Sequence, residues 1–251
     1  MTDSVLNVAL GLVATAISAG IGWLAQSLRR RRRLGRVREF FGMPAGTECL
    51  LVVNRRGVEG TSRSVSRNDV YALMELSALV RECGARAELV AHDEVRQGLG
   101  QKAEFCLGGP ASNERTVAHL QSWLPGIEFA LQNPDGPHGD TTLTVGDEEF
   151  PYVHPSAGSA GGQAYVLLAR LHARPDSRPV FLIAGQTATS NHAAVRYLVA
   201  NHRALAHRYG RTGTFVLVLK VINSEAYGPD VVELAADVTA KATAPRVEAA
   251  V

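Results

Sequence analysis

Along this chain, short unbroken apolar runs alternate with longer stretches in which apolar residues return every three or four positions. Glu48–Val53, Ala87–Ala91, Glu104–Leu107, Val180–Ile183 and Thr214–Ile222 are runs of the first kind, bounded by Gly, Asn, Thr or Pro, and they read as buried strands. Between them Val70, Leu73, Leu76, Val80 and Cys83 recur at helical spacing, with Ser66 or Asn68 as the cap and Gly84 as the stop. Val117, Leu120, Trp123 and Leu124 repeat the pattern after Ser112 or Asn113 and end at Pro125-Gly126. A third helix runs from the loop Ala184–Asn191 to Tyr209, where Gly210 stops it. Ala164–Leu171 is too short for its period to decide, and the Pro175–Pro179 turn before the next strand favours a strand. Val231–Val238 predicts a returning edge strand.

Buried apolar strands alternating with amphipathic helices predict an α/β fold, a Rossmann-like, mostly parallel three-layer sandwich. The middle of the chain breaks the alternation. Gln132–Asp140, rich in Pro, Gly and Asp, is a loop, and Thr142–Val145 with Glu149–Tyr152 flank Gly146-Asp147 as an inserted β-hairpin. Ser156–Gly162 reads as a flexible Gly/Ser/Ala linker, and Thr239–Val251, without an apolar face to bury, as a disordered tail.

The first residues follow neither pattern. Ser4–Leu28 is 25 residues without a charge, and roughly 20 apolar residues in a helix cross the hydrocarbon. Trp23 lies toward the basic end, where an amphipathic ring suits the interface. Arg29, Arg30, Arg31, Arg32 and Arg33 follow at once, then Arg36 and Arg38, whereas no Lys or Arg precedes the run. That asymmetry is the reverse of a cleaved signal peptide and predicts a single-pass anchor, N-terminus outside and the domain cytosolic. The expected division is a transmembrane helix over 4–28, a basic juxtamembrane connector over 29–46 whose Phe40 and Phe41 pack on the domain edge or the membrane surface, the domain over 47–238, and the tail over 239–251. Ala16/Gly20 and Ser18/Gly22 are small-xxx-small pairs that would permit a homo-oligomer. The arginines also suit anionic headgroups of the lipid bilayer, beyond their role as a topology signal.

Charge changes the picture once. The formal net charge is +2, but seven of the 26 basic residues lie between Arg29 and Arg38, so the domain itself is mildly acidic, which argues against nucleic acid as a partner. Cys49, Cys83 and Cys106 lie far apart in apolar surroundings, without CxxC spacing, and read as buried reduced thiols, not metal ligands.

Candidate chemistry lies in two loops that echo each other, Gly108-Gly109-Pro110-Ala111-Ser112-Asn113 and Gly185-Gln186-Thr187-Ala188-Thr189-Ser190-Asn191. Each joins a strand to a helix, where open α/β sheets bind ligands and helix N-termini offer unpaired N–H groups to an anion. Gly108, Gly109 and Gly185 would let backbone approach a phosphate, with Ser112, Asn113, Thr187, Thr189, Ser190 and Asn191 as polar partners. The same residues also serve as ordinary turns and helix caps. His92-Asp93-Glu94 stands where an acid can meet a ribose, or is a solvated loop, and Arg55, Arg56, Arg63 and Arg67 either clamp a phosphate or are solvated. GxGxxG, Walker A, GxSxG, HExxH and HxE with PCxxC are absent, so no cofactor is expected. Ser190, His192 and Asp230 or Glu225 form a trio only if the fold gathers them. Asn223–Asp230, polar and turn-rich, either closes over the same sheet edge or only turns into the last strand.

Phe105–Asn113, Val180–Gly185 and Leu219–Val232 give the chain a likeness to a known group. With its GGPASN loop, later strand-glycine-loop-helix and closing KVINSEAYGPDVVE segment, it resembles a group of uncharacterised actinobacterial secreted or membrane proteins across most of Phe40–Val238. The resemblance implies an intact domain with a shared GGP loop and carries no reaction. The expected function is a membrane-tethered domain that binds a small phosphate-bearing, nucleotide-like ligand for sensing. An enzyme on a nucleotide or sugar phosphate, or a ligand-free interaction module, are the alternatives.

Overall fold

The computed structural model describes residues 2–54, 65–133, 140–155 and 161–244, with side chains from Ser18 onward in the first helix and without those of 131–133 and 140. A 40-residue helix, α1 (Thr2–Phe41), leads into β1 (Glu48–Val53), α2 (Arg67–Glu82), β2 (Arg86–Ala91), β3 (Ala103–Leu107) and α3 (Glu114–Trp123). Then come β4 (Ile127–Asn133), β5 (Asp140–Val145), β6 (Glu148–Pro151), β7 (Gln163–His172), β8 (Pro179–Gly185), α4 (Ala188–Tyr209), β9 (Phe215–Ile222), α5 (Ser224–Tyr227), β10 (Val232–Asp237) and α6 (Thr239–Thr243).

Seven strands form one sheet in the order β10-β9-β7-β8-β3-β1-β2. β2, β1, β3 and β8 pair in parallel, whereas β7 lies antiparallel between β8 and β9, and β10 antiparallel outside β9. Five strands therefore share one direction and two oppose it. The mostly parallel α/β expectation holds for strand direction, while the β7–β9–β10 side is an antiparallel meander. β7 resolves the ambiguous run 164–171: it is flanked on both edges by strands and is buried over most of its length.

The two faces carry separate cores. On one, Leu76 and Val80 of α2, Ala194 and Leu198 of α4 and Phe40 and Phe41 of α1 cover Leu51, Phe105, Phe181 and Leu217. On the other, Leu120 of α3, Ile127, Leu143 and Val145 of the inserted strands and Ala242 of α6 cover Val52, Cys106, Leu182 and Val218. The third layer is thus mixed, and the insertion is a three-stranded antiparallel sheet β4-β5-β6, not a hairpin alone.

α1 corrects the expected connector. The helix continues through the arginines to Phe41, because arginine is a good helix former and charge alone does not end a helix. It closes with a Schellman turn, the Met43 N–H reaching the Arg38 carbonyl at 2.8 Å. Val37, Phe40, Phe41 and Met43 are buried, so the core begins at Val37, ten residues before the expected boundary. The aromatic contacts are close, Phe41 lying 5.4 Å from Phe181 and Phe40 4.9 Å from Phe41 between ring centroids. Arg38 Nε also donates to the Cys83 carbonyl at 2.7 Å, capping the end of α2.

Above that root, α1 stands clear of the domain, with Ile21, Trp23, Leu24 and Leu28 exposed. Among the described residues no helix is long and apolar enough to cross a membrane. The side chains of 4–17, the first part of the apolar run, lie outside the described residues.

Three smaller expectations are corrected. Val70 is exposed, whereas Leu73, Leu76, Val80 and Cys83 of the expected stripe are buried and Asp69, Ala72 and Leu79 widen it. Ser66 holds the cap position of α2 without a side-chain bond. The tail is not all free: 239–243 form α6, Ala242 is fully buried, and its carbonyl accepts the Gly126 N–H at 3.1 Å. Residues 245–251, 134–139 and most of the 156–162 linker lie outside the described residues.

Candidate functional site

The site follows from where the helices go. α2, after β1, and α4, after β8, pack on one face, whereas α3, after the intervening β3, packs on the other. The carboxyl ends of β1, β3 and β8 therefore lie where adjacent helices part to opposite faces, the position at which open α/β sheets form a ligand crevice. The N-termini of all three helices meet it.

The GGP loop lines this crevice. Gly108 has φ 117°, closed to most L side chains, and its N–H binds the Ile183 carbonyl at 2.9 Å, fixing the turn against β8. Gly109 runs so close to the other loop that a Cβ there would lie 3.0 Å from the Gly185 carbonyl oxygen. The two loops therefore do converge. Across the crevice from the end of β1, Asn54 Nδ2 donates to Ser112 Oγ at 3.2 Å.

The eight predicted residues divide into two roles. Gly109, Ser112, Gly185 and Thr187 are partly exposed in the crevice. Gly108, Asn113, Ser190 and Asn191 are buried and shape it. Asn113 caps α3, its Oδ1 accepting from the Thr116 N–H at 3.1 Å while its Nδ2 donates to the Leu107 carbonyl at 2.9 Å. The expected Ser-Asn cap of α4 is corrected: Thr187 is the cap, in a capping box with Ser190, and the helix begins at Ala188. Asn191, inside that first turn, accepts the Gly185 N–H at 2.8 Å and donates to Asp69 Oδ1 at 3.0 Å. Asn68 Nδ2 adds a 2.7 Å bond to Thr189 Oγ1, so α2 and α4 are tied together at their N-termini.

Sequence reasoning passed over Asn54, Asp69 and Gln186. Asn54 is buried, and among the described residues its Oδ1 accepts no hydrogen bond. Gln186 anchors the second loop to the inserted sheet, donating to the Thr141 and Phe150 carbonyls at 2.7 Å each and accepting the Tyr165 N–H at 2.7 Å. No motif marks these residues; their positions immediately after β1, in the first turn of α2 and after β8 are the available signal.

Other candidates separate. His192 bonds Glu75 across α2 at 3.1 Å, Ser190 bonds Thr187, and Asp230 pairs with Arg196, so the imagined trio is not assembled. Of His92-Asp93-Glu94, His92 Nδ1 accepts the Glu114 N–H at 3.3 Å, which ties that turn to the start of α3. Arg67 is exposed at the start of α2, and Arg55, Arg56 and Arg63 lie outside the described residues. Asn223, in left-handed conformation at φ 46°, begins the short α5 and binds the Gly162 carbonyl at 2.8 Å, turning the chain toward β10.

A second polar cluster lies within the α3 face. Glu104 accepts two bonds from Arg115, at 3.0 and 2.8 Å, and lies 2.8 Å from His119 Nε2. Burial pushes the Glu104 carboxyl up, but the His119 and Arg115 hydrogen bonds outweigh it and hold the group at about 2. Cys106 is close enough that Glu104, Cys106 and His119 offer three metal-ligand atoms within 4.8 Å of one another. The Arg115 guanidinium already engages both carboxylate oxygens, and burial pushes the Cys106 thiol up to about 12, so it stays protonated. This cluster is an internal ion-pair network. Cys49, Cys83 and Cys106 are all free and buried.

No protein-family model, curated protein or solved structure matches the chain.

Proposed function

We propose that this domain binds a small phosphate-bearing, nucleotide-like ligand in the crevice between the carboxyl ends of β1, β3 and β8, and that α1 holds it at the cytosolic face of a membrane. The observation that carries the reading is the convergence of the Gly109 and Gly185 loops at a point where adjacent helices part to opposite faces. The ligand's phosphate suits the Gly109–Ser112 side, because Asp69 places a carboxylate at the α2/α4 corner. Asn54 Oδ1 asks for a donor, which a phosphate lacks and a ribose hydroxyl or base amino group supplies. A ligand with both features fills both needs.

A thermal-shift panel of nucleotides tests this. At a concentration 100 times Kd, a binder should add about 2.7 kcal/mol of stability, or roughly 5–10 °C. Gly109→Val should abolish the shift, and Asn54→Ala, which introduces no crowding, should weaken it at least tenfold in Kd. Stabilisation by no nucleotide, or equal stabilisation of both variants, contradicts the reading.

The membrane part of the proposal rests on the charge asymmetry around Ser4–Leu28 and on the exposed apolar side chains of the projecting α1. Protease protection on sealed, inside-in vesicles should leave the domain intact until detergent is added; digestion from the outer face would overturn the orientation.

A further inference from the structure

At the far end of the domain from the crevice, the root of α1 and the last turns of α4 enclose a groove of about 480 Å³. Its walls carry Arg33 and Arg36 from α1, His202, Arg203 and His207 from α4, and Arg211 just beyond. Among the described residues, Arg211 is the one of these that meets a carboxylate, Glu39 at 2.9 Å. The half-buried Ala206 and the edges of the otherwise buried Val37 and Phe40 form the floor of the same groove, and the arginine stems add apolar wall. His202 Nδ1 is held 2.7 Å from the Val199 carbonyl, and its buried Nε2 has no hydrogen-bond partner among the described residues.

We infer that this groove is a binding site for the headgroup of an anionic phospholipid, the phosphate lying among the guanidinium groups and the glycerol and first acyl carbons against Ala206 and the arginine stems. Spacing supports it: Arg33, Arg36, Val37 and Phe40 lie on one face of α1, and His202, Arg203, Ala206 and His207 on one face of α4. The charge therefore comes from two packed elements and persists as a fixed concavity, unlike a run of arginines on one strand of chain. Position supports it too, because the groove opens immediately below Arg29–Arg32, where an anchored α1 would leave the bilayer. A soluble phosphate ester would use the arginines alone, whereas a lipid also accounts for the apolar surface. The inference rests on the membrane reading of α1, and on no property of the crevice.

The test uses the full chain in nanodiscs of phosphatidylcholine with 0 or roughly 20% phosphatidylglycerol, with bound lipid identified by native mass spectrometry after gentle extraction. Phosphatidylglycerol should be retained over phosphatidylcholine, and Arg203→Gln and Arg36→Gln should each weaken retention roughly fivefold. Glycerol phosphate should fail to compete. Equal retention of the two lipids, unchanged retention in both variants, or competition by glycerol phosphate as effective as by the lipid would overturn the assignment. Alkaline extraction of native membranes separates this from the anchor: protein that stays in the membrane pellet without lipid selectivity defeats the groove alone, whereas protein released into the supernatant defeats the anchor on which it rests.

Discussion

Arg170→Ala is expected to lower the free energy of unfolding by about 3–5 kcal/mol, seen as a fall in Tm of roughly 10 °C. Arg170 is fully buried in the middle of an apolar sheet, on β7, and among the described residues no carboxylate is its partner. Its guanidinium instead donates to three carbonyls beyond the end of α4: Gly213 at 2.7 Å, Arg211 at 3.1 Å and Gly210 at 2.8 Å. It also lies 4.4 Å from the Phe40 ring centroid and 5.1 Å from that of Phe215. Burial lowers its pKa to about 10, so it remains charged at neutral pH.

Two effects oppose each other on substitution. Removing a desolvated charge relieves a cost of several kcal/mol, but three carbonyls at a helix end lose their donor and the aromatic contacts disappear. The second effect wins, because a hydrogen bond to a charged donor contributes about 1.5–3 kcal/mol and three are lost together with the two aromatic contacts. Arg170→Lys should recover only part of the loss, since one ammonium lacks the planar fork. Chemical denaturation distinguishes this from a general effect of losing an arginine: exposed Arg174→Ala should change stability by less than about 0.5 kcal/mol.

Glu104→Ala is the second large effect, about 3–5 kcal/mol, because it strands Arg115 and His119 beside an empty buried site. Its pH dependence gives a separate signature. The Glu104 carboxyl is near 4.5 when unfolded and about 2 in the fold, so its contribution is complete above about pH 4.5 and is lost as pH falls toward 2. Glu104→Gln keeps the shape and should flatten this acid limb while leaving the neutral-to-alkaline part of the profile parallel to the wild type. An acid limb unchanged in Glu104→Gln would show that other carboxylates set it.

Physical reasons separate what the sequence reveals from what it hides. β1, β3, β8 and β9 are legible because strands buried on both faces need continuous apolar runs, and these four are nearly fully buried. Strand direction is not legible, since Val166 pairs with both Gly185 and Leu219 through contacts that no local pattern specifies. β4 carried a readable alternation at Ile127, Phe129 and Leu131, obscured by the Pro/Gly-rich segment after it. The arginine run hid the continuity of α1, because a charge block reads as a boundary while the helical spacing of Val37, Phe40 and Phe41 shows the core-facing side. Position after a strand was enough to set both loops at the same end of the sheet, where they meet. It did not separate Thr187, which caps, from Ser190, which completes the box, nor show that Asn113 and Asn191 would turn inward. Asn54 was invisible because only the fold brings it beside Ser112, 58 residues along the chain.

The ligand-binding claim is tested most directly by hydrogen exchange of the full chain in nanodiscs, with and without the nucleotide that shifts Tm most. Ligand binding should slow exchange at the amides of Gly108–Arg115 and Gly185–Thr189, with no change at His202–Arg211. Unaltered exchange in both loops, or protection confined to another part of the chain, would contradict it.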